Sequence, residues 1–315
     1  MLDNLVFSLN TVLPVFAVML IGFFLRRSGF CSEEFFKNGN KIVFYIALPA
    51  SLFLDTFQTD IAGFFDVKFV AFTISTTIVS FLLIWGIIEI FIKDKKLIGT
   101  IVQAAYRGNF IILGVPLVTN VIGIEKGAKA LLVISFVIPV YAVLSVIALA
   151  FRSSKNEKVN FKKILLEIVK NPFIIAIALG FLCAAVRLPL PEAGEKVIGM
   201  FKSIASPFAL LCLGGSINIR SFDKKVRYSI MAALIKTIGI PLVVVPIAYL
   251  MGFRSYDLLV IMLWSGVPTS VSSYTVAVGM GGDGDIASSS VVFSTFLSVF
   301  TLTTFIYIFK TIGFI

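Results

Sequence analysis

The chain has 315 residues, of which 58% are hydrophobic and only 14% charged, with a mean hydropathy of +1.03. A soluble domain carries about a quarter charged residues, so a soluble domain is excluded and an integral membrane protein is indicated. The net charge of +10 sits in short stretches between apolar runs rather than in a basic patch interleaved with aromatics, which excludes a nucleic-acid partner.

Ten spans of about 20 residues use most of the chain and leave no room for a separate soluble domain. The first runs from about Leu5 to Leu25. Its apolar run is followed, not preceded, by Arg26-Arg27, so it reads as a retained span rather than a cleaved leader. The second spans Asn40 to Phe57 with Pro49 inside it, and the third Phe69 to Ile92.

The fourth, Leu97 to Ile122, contains Arg107-Gly108-Asn109 and Gly114-Val115-Pro116. Pro116 cannot donate its N–H and clashes with the carbonyl of Ile112, so the helix is expected to break and restart at Pro116. In lipid such a break is tolerated only where it is buried or lines a cavity. Asn109 stands seven residues before Pro116, on nearly the same helix face. Arg107 is about 200° away from Asn109 on an ideal helix, so both face one cavity only if the chain is unwound. Snorkelling of Arg107 toward Glu89 is the alternative.

The fifth span is Ala130 to Phe151, and a basic connector from Arg152 to Lys170 follows. The sixth is Asn171 to Val186, the seventh Ser203 to Ile217 with Pro207 inside it, and the eighth Ser229 to Met251, in which Lys236 reads as a snorkelling cation. The ninth, Leu258 to Met280, repeats the Gly-Val-Pro break as Gly266-Val267-Pro268, followed by Thr269, Ser270, Ser272 and Ser273. Those hydroxyls can cap the half-helix expected to start at Pro268, or touch a carboxylate. The tenth, Ser288 to Phe309, carries Ser290, Ser294, Ser298 and Thr301, a small-residue packing face.

Odd-numbered loops hold 17 of the 27 Lys and Arg, while even-numbered loops and the termini hold 8. The positive-inside rule then places the odd loops in the cytoplasm and both termini outside, in a bacterial-type cell membrane. The halves are related. Pro14 and Pro172, Gly22 and Gly180, Phe23 and Phe181, Pro49 and Pro207, and Leu52 and Leu210 all stand 158 residues apart, and Pro116 and Pro268 stand 152 apart. The expected organisation is a first five-span repeat over 1–151, a cytoplasmic connector over 152–170 and a second repeat over 171–315. An odd number of spans per repeat makes the second copy inverted, and a broken helix in each copy is the pattern of a secondary transporter. Two half-helix starts meeting near the midplane favour an anion.

The chain contains no histidine, and Cys31, Cys183 and Cys212 are far apart. No metal site, cofactor site, disulfide framework or nucleophile–base constellation is therefore expected, and the chain does not read as an enzyme.

In Leu13-Pro14-Val15-Phe16 through Gly22 to Arg26-Arg27, Phe44-Tyr45-Ile46-Ala47-Leu48-Pro49, Arg107-Gly108-Asn109 with Gly114-Val115-Pro116, Asn171-Pro172, Pro207-Phe208-Ala209-Leu210 and Gly266-Val267-Pro268, the chain resembles the auxin efflux carrier family. These are prokaryotic relatives of the plant auxin carriers within the bile/arsenite/riboflavin transporter superfamily. The resemblance implies an all-α fold of ten spans with a crossover of discontinuous helices 4 and 9, and cargo such as auxin, malate or malonate. It also implies that Asn109, seven residues before the span-4 proline, lines the substrate site. The large central loop of the plant carriers is missing.

The expected function is a secondary transporter of small organic anions working by alternating access. A sodium-coupled bile-acid-type carrier and a non-transporting membrane sensor are the alternatives. Candidate substrate residues are Asn109, Gly114, Pro116, Gly266, Pro268, Thr269, Ser270, Ser272 and Ser273, with a charge role for Arg107, Lys236 or Glu89. Asp55 and Glu89 are the carboxylates available for proton coupling, and an uncoupled carrier fits as well. The expected partners are the anion and the lipid bilayer, and a homodimer is left open.

Overall fold

The computed structural model describes Pro14 and residues 17–58, 66–123, 129–151, 169–216 and 222–314. The described residues are all-helical, with no strand beyond one isolated bridge. The helices are α1 (17–27), α2 (Glu33–Ile42), α3 (Leu48–Phe57), α4 (Val67–Phe91), α5 (Lys95–Tyr106), α6 (Val115–Ile122), α7 (Lys129–Leu132) and α8 (Ile138–Ala150). They continue as α9 (Pro172–Ala185), α10 (Glu192–Ser216), α11 (Phe222–Leu234), α12 (Ile240–Leu250), α13 (Ser255–Gly266), α14 (Val271–Gly279) and α15 (Gly284–Ile312). Apart from its last two residues, the connector expected over 152–170 lies outside the described residues, as does most of the first expected span before residue 17.

Among the described residues, five helical stretches are long and apolar enough to cross a membrane: Val67–Phe91, Val133–Ala150, Glu192–Ser216, Lys225–Leu250 and Gly284–Ile312. Their outward faces fit that solvent. On α4, Leu82, Leu83, Ile87, Ile90 and Phe91 all lie exposed, a surface water would penalise and hydrocarbon would not. By contrast, every residue of α5 from Leu97 to Tyr106 is buried, as is every residue of α13 from Leu258 to Gly266. These two helices are sheathed by the rest of the molecule.

Local sequence sets the helix starts. Ser32, Asp66, Asp94, Asn171 and Asp283 each accept a backbone N–H two or three residues on, satisfying an otherwise orphan donor. Interior prolines follow a second rule. The widened π-turns Val43–Ala47, Phe110–Gly114, Val133–Val137 and Ile235–Gly239 each end two residues before a proline: Pro49, Pro116, Pro139 and Pro241. A proline clashes with the carbonyl four residues back, and a wider turn moves that carbonyl aside so that the helix carries on.

Close packing between the halves is reciprocal. A Cβ on Gly22 of α1 would lie 2.1 Å from the Leu211 carbonyl oxygen on α10, and one on Gly180 of α9 would lie 2.7 Å from the Phe53 carbonyl oxygen on α3. Gly180 follows Gly22, and Leu211 follows Phe53, by the same 158 residues (180 − 22 and 211 − 53). The same backbone contact is thus made twice with the halves exchanged, and only glycine fits it.

Candidate functional site

Helix α5 stops at Tyr106 and the chain becomes helical again at Phe110; α13 stops at Gly266 and the chain resumes at Val271. The two gaps cross as an antiparallel pair with Gly108 opposite Thr269. The Asn109 N–H donates to the Pro268 carbonyl at 2.7 Å, and the Ser270 N–H to the Arg107 carbonyl at 3.0 Å. Each break therefore supplies the backbone partners that the other lacks, which a membrane interior demands. Gly108 permits the approach, since a Cβ there would lie 2.8 Å from Val267 Cγ2 and 3.1 Å from Lys236 Cε.

This corrects the expected register of the first break. It falls at Arg107–Asn109, not at Pro116, where the π-turn lets the helix run on. The helix stops at Tyr106 and Gly266 are 160 residues apart, close to the 158 that separates Gly22 from Gly180 and Phe53 from Leu211, whereas the two Gly-Val-Pro prolines are 152 apart. The second break matches expectation more closely, with Pro268 inside it and the extended Val267 (ψ 151°) before it.

Further side chains lock the crossing. Thr269 Oγ1 donates to the Ala104 carbonyl at 2.7 Å, and the Thr269 N–H donates to Ser294 Oγ at 3.0 Å. Gln103 Nε2 donates to the Ser273 carbonyl at 2.7 Å. Lys236 Nζ donates to the Ser265 carbonyl at 2.5 Å. One last-turn carbonyl of each incoming half-helix is thus met, Ala104 by a hydroxyl and Ser265 by an ammonium lying at the negative end of the helix dipole. Lys236 is 0% exposed, so it does not snorkel. The π-turn Ile235–Gly239 takes up an extra residue and shifts the lysine relative to a regular helix projection.

One face of the crossing opens on a cavity of about 280 Å³. Arg107, Asn109, Ser270 and Ser272 of the crossing line it, together with Tyr141 of α8, Ser51 and Asp55 of α3 and Lys202 of α10. Arg107 and Asn109 are each 5% exposed. The guanidinium donates to Ser272 Oγ at 2.7 Å and Ser145 Oγ at 3.3 Å, and among the described residues no carboxylate pairs with it. Ser145 is itself held by Tyr106 and the Tyr141 carbonyl. Asn109 Nδ2 is buried and has no hydrogen-bond partner among the described residues. Neither half-helix start, at Asn109 or Ser270, is capped by its side chain; the Ser270 hydroxyl meets that of Ser272 instead. The crossover wall is therefore a set of donors: a guanidinium, a free amide N–H, hydroxyls and two uncapped half-helix starts. Donors of these kinds are the ones that complement negative charge.

The family described as membrane transport protein matches residues 7–306. The chain belongs to that family, the auxin efflux carriers. This transporter is 24% identical over 301 residues to a transporter of Methanothermobacter thermautotrophicus, covering 94% of this chain and 96% of that one. It is likewise 24% identical over 309 residues to a Rhizobium meliloti protein named "putative malonate transporter", covering 95% of each. It is 22% identical over 281 residues to the transporter YfdV of Escherichia coli, covering 87% of this chain and 88% of YfdV. These are transporters, not enzymes.

Of the residues picked out from the sequence, the transporter brings Asn109, Arg107, Ser270, Ser272 and Asp55 to the cavity. Unwinding at 107–109 is what lets Arg107 and Asn109 share it. Pro268, Thr269 and Ser273 hold the crossing through backbone and hydroxyl bonds instead. Gly114 faces the ring of Phe110, and Gly266 lies near Leu302 and Pro241, away from the cavity. The side chain of Pro116 lies outside the described residues. Glu89 pairs with Lys95 at 2.5 Å, not with Arg107. Sequence reasoning placed Lys202 in a loop and did not name Tyr141. The Lys196–Glu192 pair, four residues apart, was the available sign that α10 begins early enough to include Lys202.

Proposed function

We propose that this transporter carries small organic anions by alternating access around the crossing of 107–109 with 268–270. The observation that carries the reading is that one cavity brings together Arg107, which no carboxylate pairs among the described residues, and the Asn109 amide, which has no hydrogen-bond partner among them. Burying such groups is costly unless something completes them, and a carboxylate completes both. Ten spans in two inverted repeats, 1–151 and 171–315, joined by a cytoplasmic connector with both termini outside, is the accompanying architecture. The reciprocal Gly22 and Gly180 contacts support it. The name of the Rhizobium relative supports a carboxylate cargo, and mono- and dicarboxylates are the compounds to try together.

Sodium coupling is disfavoured by Lys236. In broken-helix carriers, coupling cations bind at unwound carbonyls and half-helix C-terminal ends, and the Lys236 ammonium already holds the Ser265 carbonyl.

The test is uptake of labelled malonate and related carboxylates into proteoliposomes, with and without sodium. Flux that disappears in Arg107→Gln while the protein stays folded supports the reading. Binding without flux would make the chain a sensor. Transport of a neutral or cationic compound in preference to carboxylates would overturn the anion assignment.

A further inference from the structure

The proposed anion site has a second wall whose charge is already half-answered. Lys202 Nζ sits 2.7 Å from Asp55 Oδ1, and Ser51 Oγ donates to Asp55 Oδ2 at 3.2 Å. The Asp55 side chain is 9% exposed and that of Lys202 36%, so the pair is set into the wall rather than waving in solvent. Among the described residues lining the cavity, Arg107, Lys202 and Asp55 are the ones with formal charge, which leaves a net +1; Lys236, behind Gly108, is outside this lining and is spent on the Ser265 carbonyl at the negative end of α13. A monocarboxylate bound at Arg107 and Asn109 neutralises that charge. A dicarboxylate brings one negative charge too many, and its second carboxylate meets a lysine whose ammonium is engaged and a carboxylate beside it. Like charges in a poorly solvated site repel strongly.

The neighbouring hollow leans the same way. Lys202 also lines an adjoining recess with Gln58, Glu192, Glu195 and Lys196. There Lys196 pairs with Glu192, while Glu195 is met by the neutral Gln58 amide at 2.8 Å.

Resting on the anion-carrier reading, we infer that the Lys202–Asp55 pair is a specificity device that sets the charge of the cargo, selecting monoanionic over dianionic carboxylates. Asp55 acts by cancelling Lys202, so its removal converts the site into one that favours two negative charges.

The test uses malonate and malonamate, which share a shape but differ by one charge near neutral pH. Affinities for purified parent, Asp55→Asn and Asp55→Asn/Lys202→Gln protein are taken from ligand-dependent thermal unfolding. The parent is expected to bind malonamate at least as tightly as malonate. Asp55→Asn should move the malonate-to-malonamate affinity ratio toward malonate by about ten-fold or more. Asp55→Asn/Lys202→Gln restores the net +1 and should move the ratio back, which a merely structural disturbance would not do. A parent that prefers malonate by a similar factor, an unchanged ratio in Asp55→Asn, or a ratio the double variant does not restore would each overturn the inference and leave the anion reading standing. Failure of both compounds, and of other carboxylates, to bind the parent would overturn the anion reading and this inference with it.

Discussion

Replacing Asn109 by alanine should separate binding from folding with opposite signs. In the substrate-free protein the Asn109 Nδ2 group is buried without a partner among the described residues, a condition that costs about 1–3 kcal/mol for a polar group. Truncation removes that cost along with a few side-chain contacts at the cavity wall, so the unliganded variant should unfold no earlier than the parent. The liganded state loses a hydrogen bond to a charged carboxylate, worth about 1.5–3 kcal/mol. Affinity should therefore fall about ten- to hundred-fold. Thermal unfolding of detergent-purified protein reads both quantities. Ligand at a hundred times the parent Kd stabilises by about 2.7 kcal/mol, whereas a hundred-fold weaker variant at the same concentration gains only about 0.4 kcal/mol. A variant that unfolds earlier without ligand yet keeps the full ligand-induced shift would refute the reasoning, because Asn109 would then be a structural residue.

Gly108→Ala places a methyl 2.8 Å from Val267 Cγ2, so the two chains cannot keep their present spacing; overpacking of this kind costs about 1–3 kcal/mol, and proteoliposome flux should be lost. Ser294→Ala deprives the Thr269 N–H of its acceptor and should destabilise by about 1–3 kcal/mol in thermal unfolding. Ser298→Ala, whose hydroxyl donates to the Thr295 carbonyl of its own helix, should change stability by less than about 0.5 kcal/mol. Near one membrane face, Lys129 bridges Asp66 and Asp257 at 2.6 Å each, and the hydrogen bond from Lys129 holds the Asp66 carboxyl below its usual range against the opposing effect of burial. A depressed carboxylate contributes stability that is present above its unfolded pKa of about 3.9 and lost as pH falls through the folded value. An acid titration of the unfolding temperature should therefore show a loss below about pH 4 that is diminished in Asp66→Asn.

The membrane character, the helical class and the existence of two broken spans were legible because composition and proline placement report them directly. The position of the first break was not. Pro116 carries the stronger local signal, yet a π-turn absorbs it, while Arg107-Gly108-Asn109 breaks because residues 268–270 supply its backbone partners from across the molecule. Nothing within span 4 announces those partners. Lys236 was misread for a related reason. Snorkelling is the default for a lysine in a membrane helix, and only the three-dimensional arrangement shows the Ser265 carbonyl waiting beside it. Asn109 does lie on the cavity, though it was singled out by its distance from a proline that does not make the break. Lys202 could have been placed in the cavity wall had α10 been started at Glu192.

The crossing also dictates an order of events during synthesis. When the ribosome has delivered residues up to about the end of α8, neither Pro268 nor Ser270 exists, so the Asn109 N–H and the Arg107 carbonyl cannot yet have the partners they hold in the finished protein. Each unpaired group costs several kcal/mol in hydrocarbon. The nascent first half therefore does best as one unbroken helix through 107–109, with its backbone satisfied along its own ladder. Arrival of α13 and α14 offers replacement bonds, and the helix opens to take them. The break in span 4 is on this account made last, by a segment synthesised some 160 residues after it.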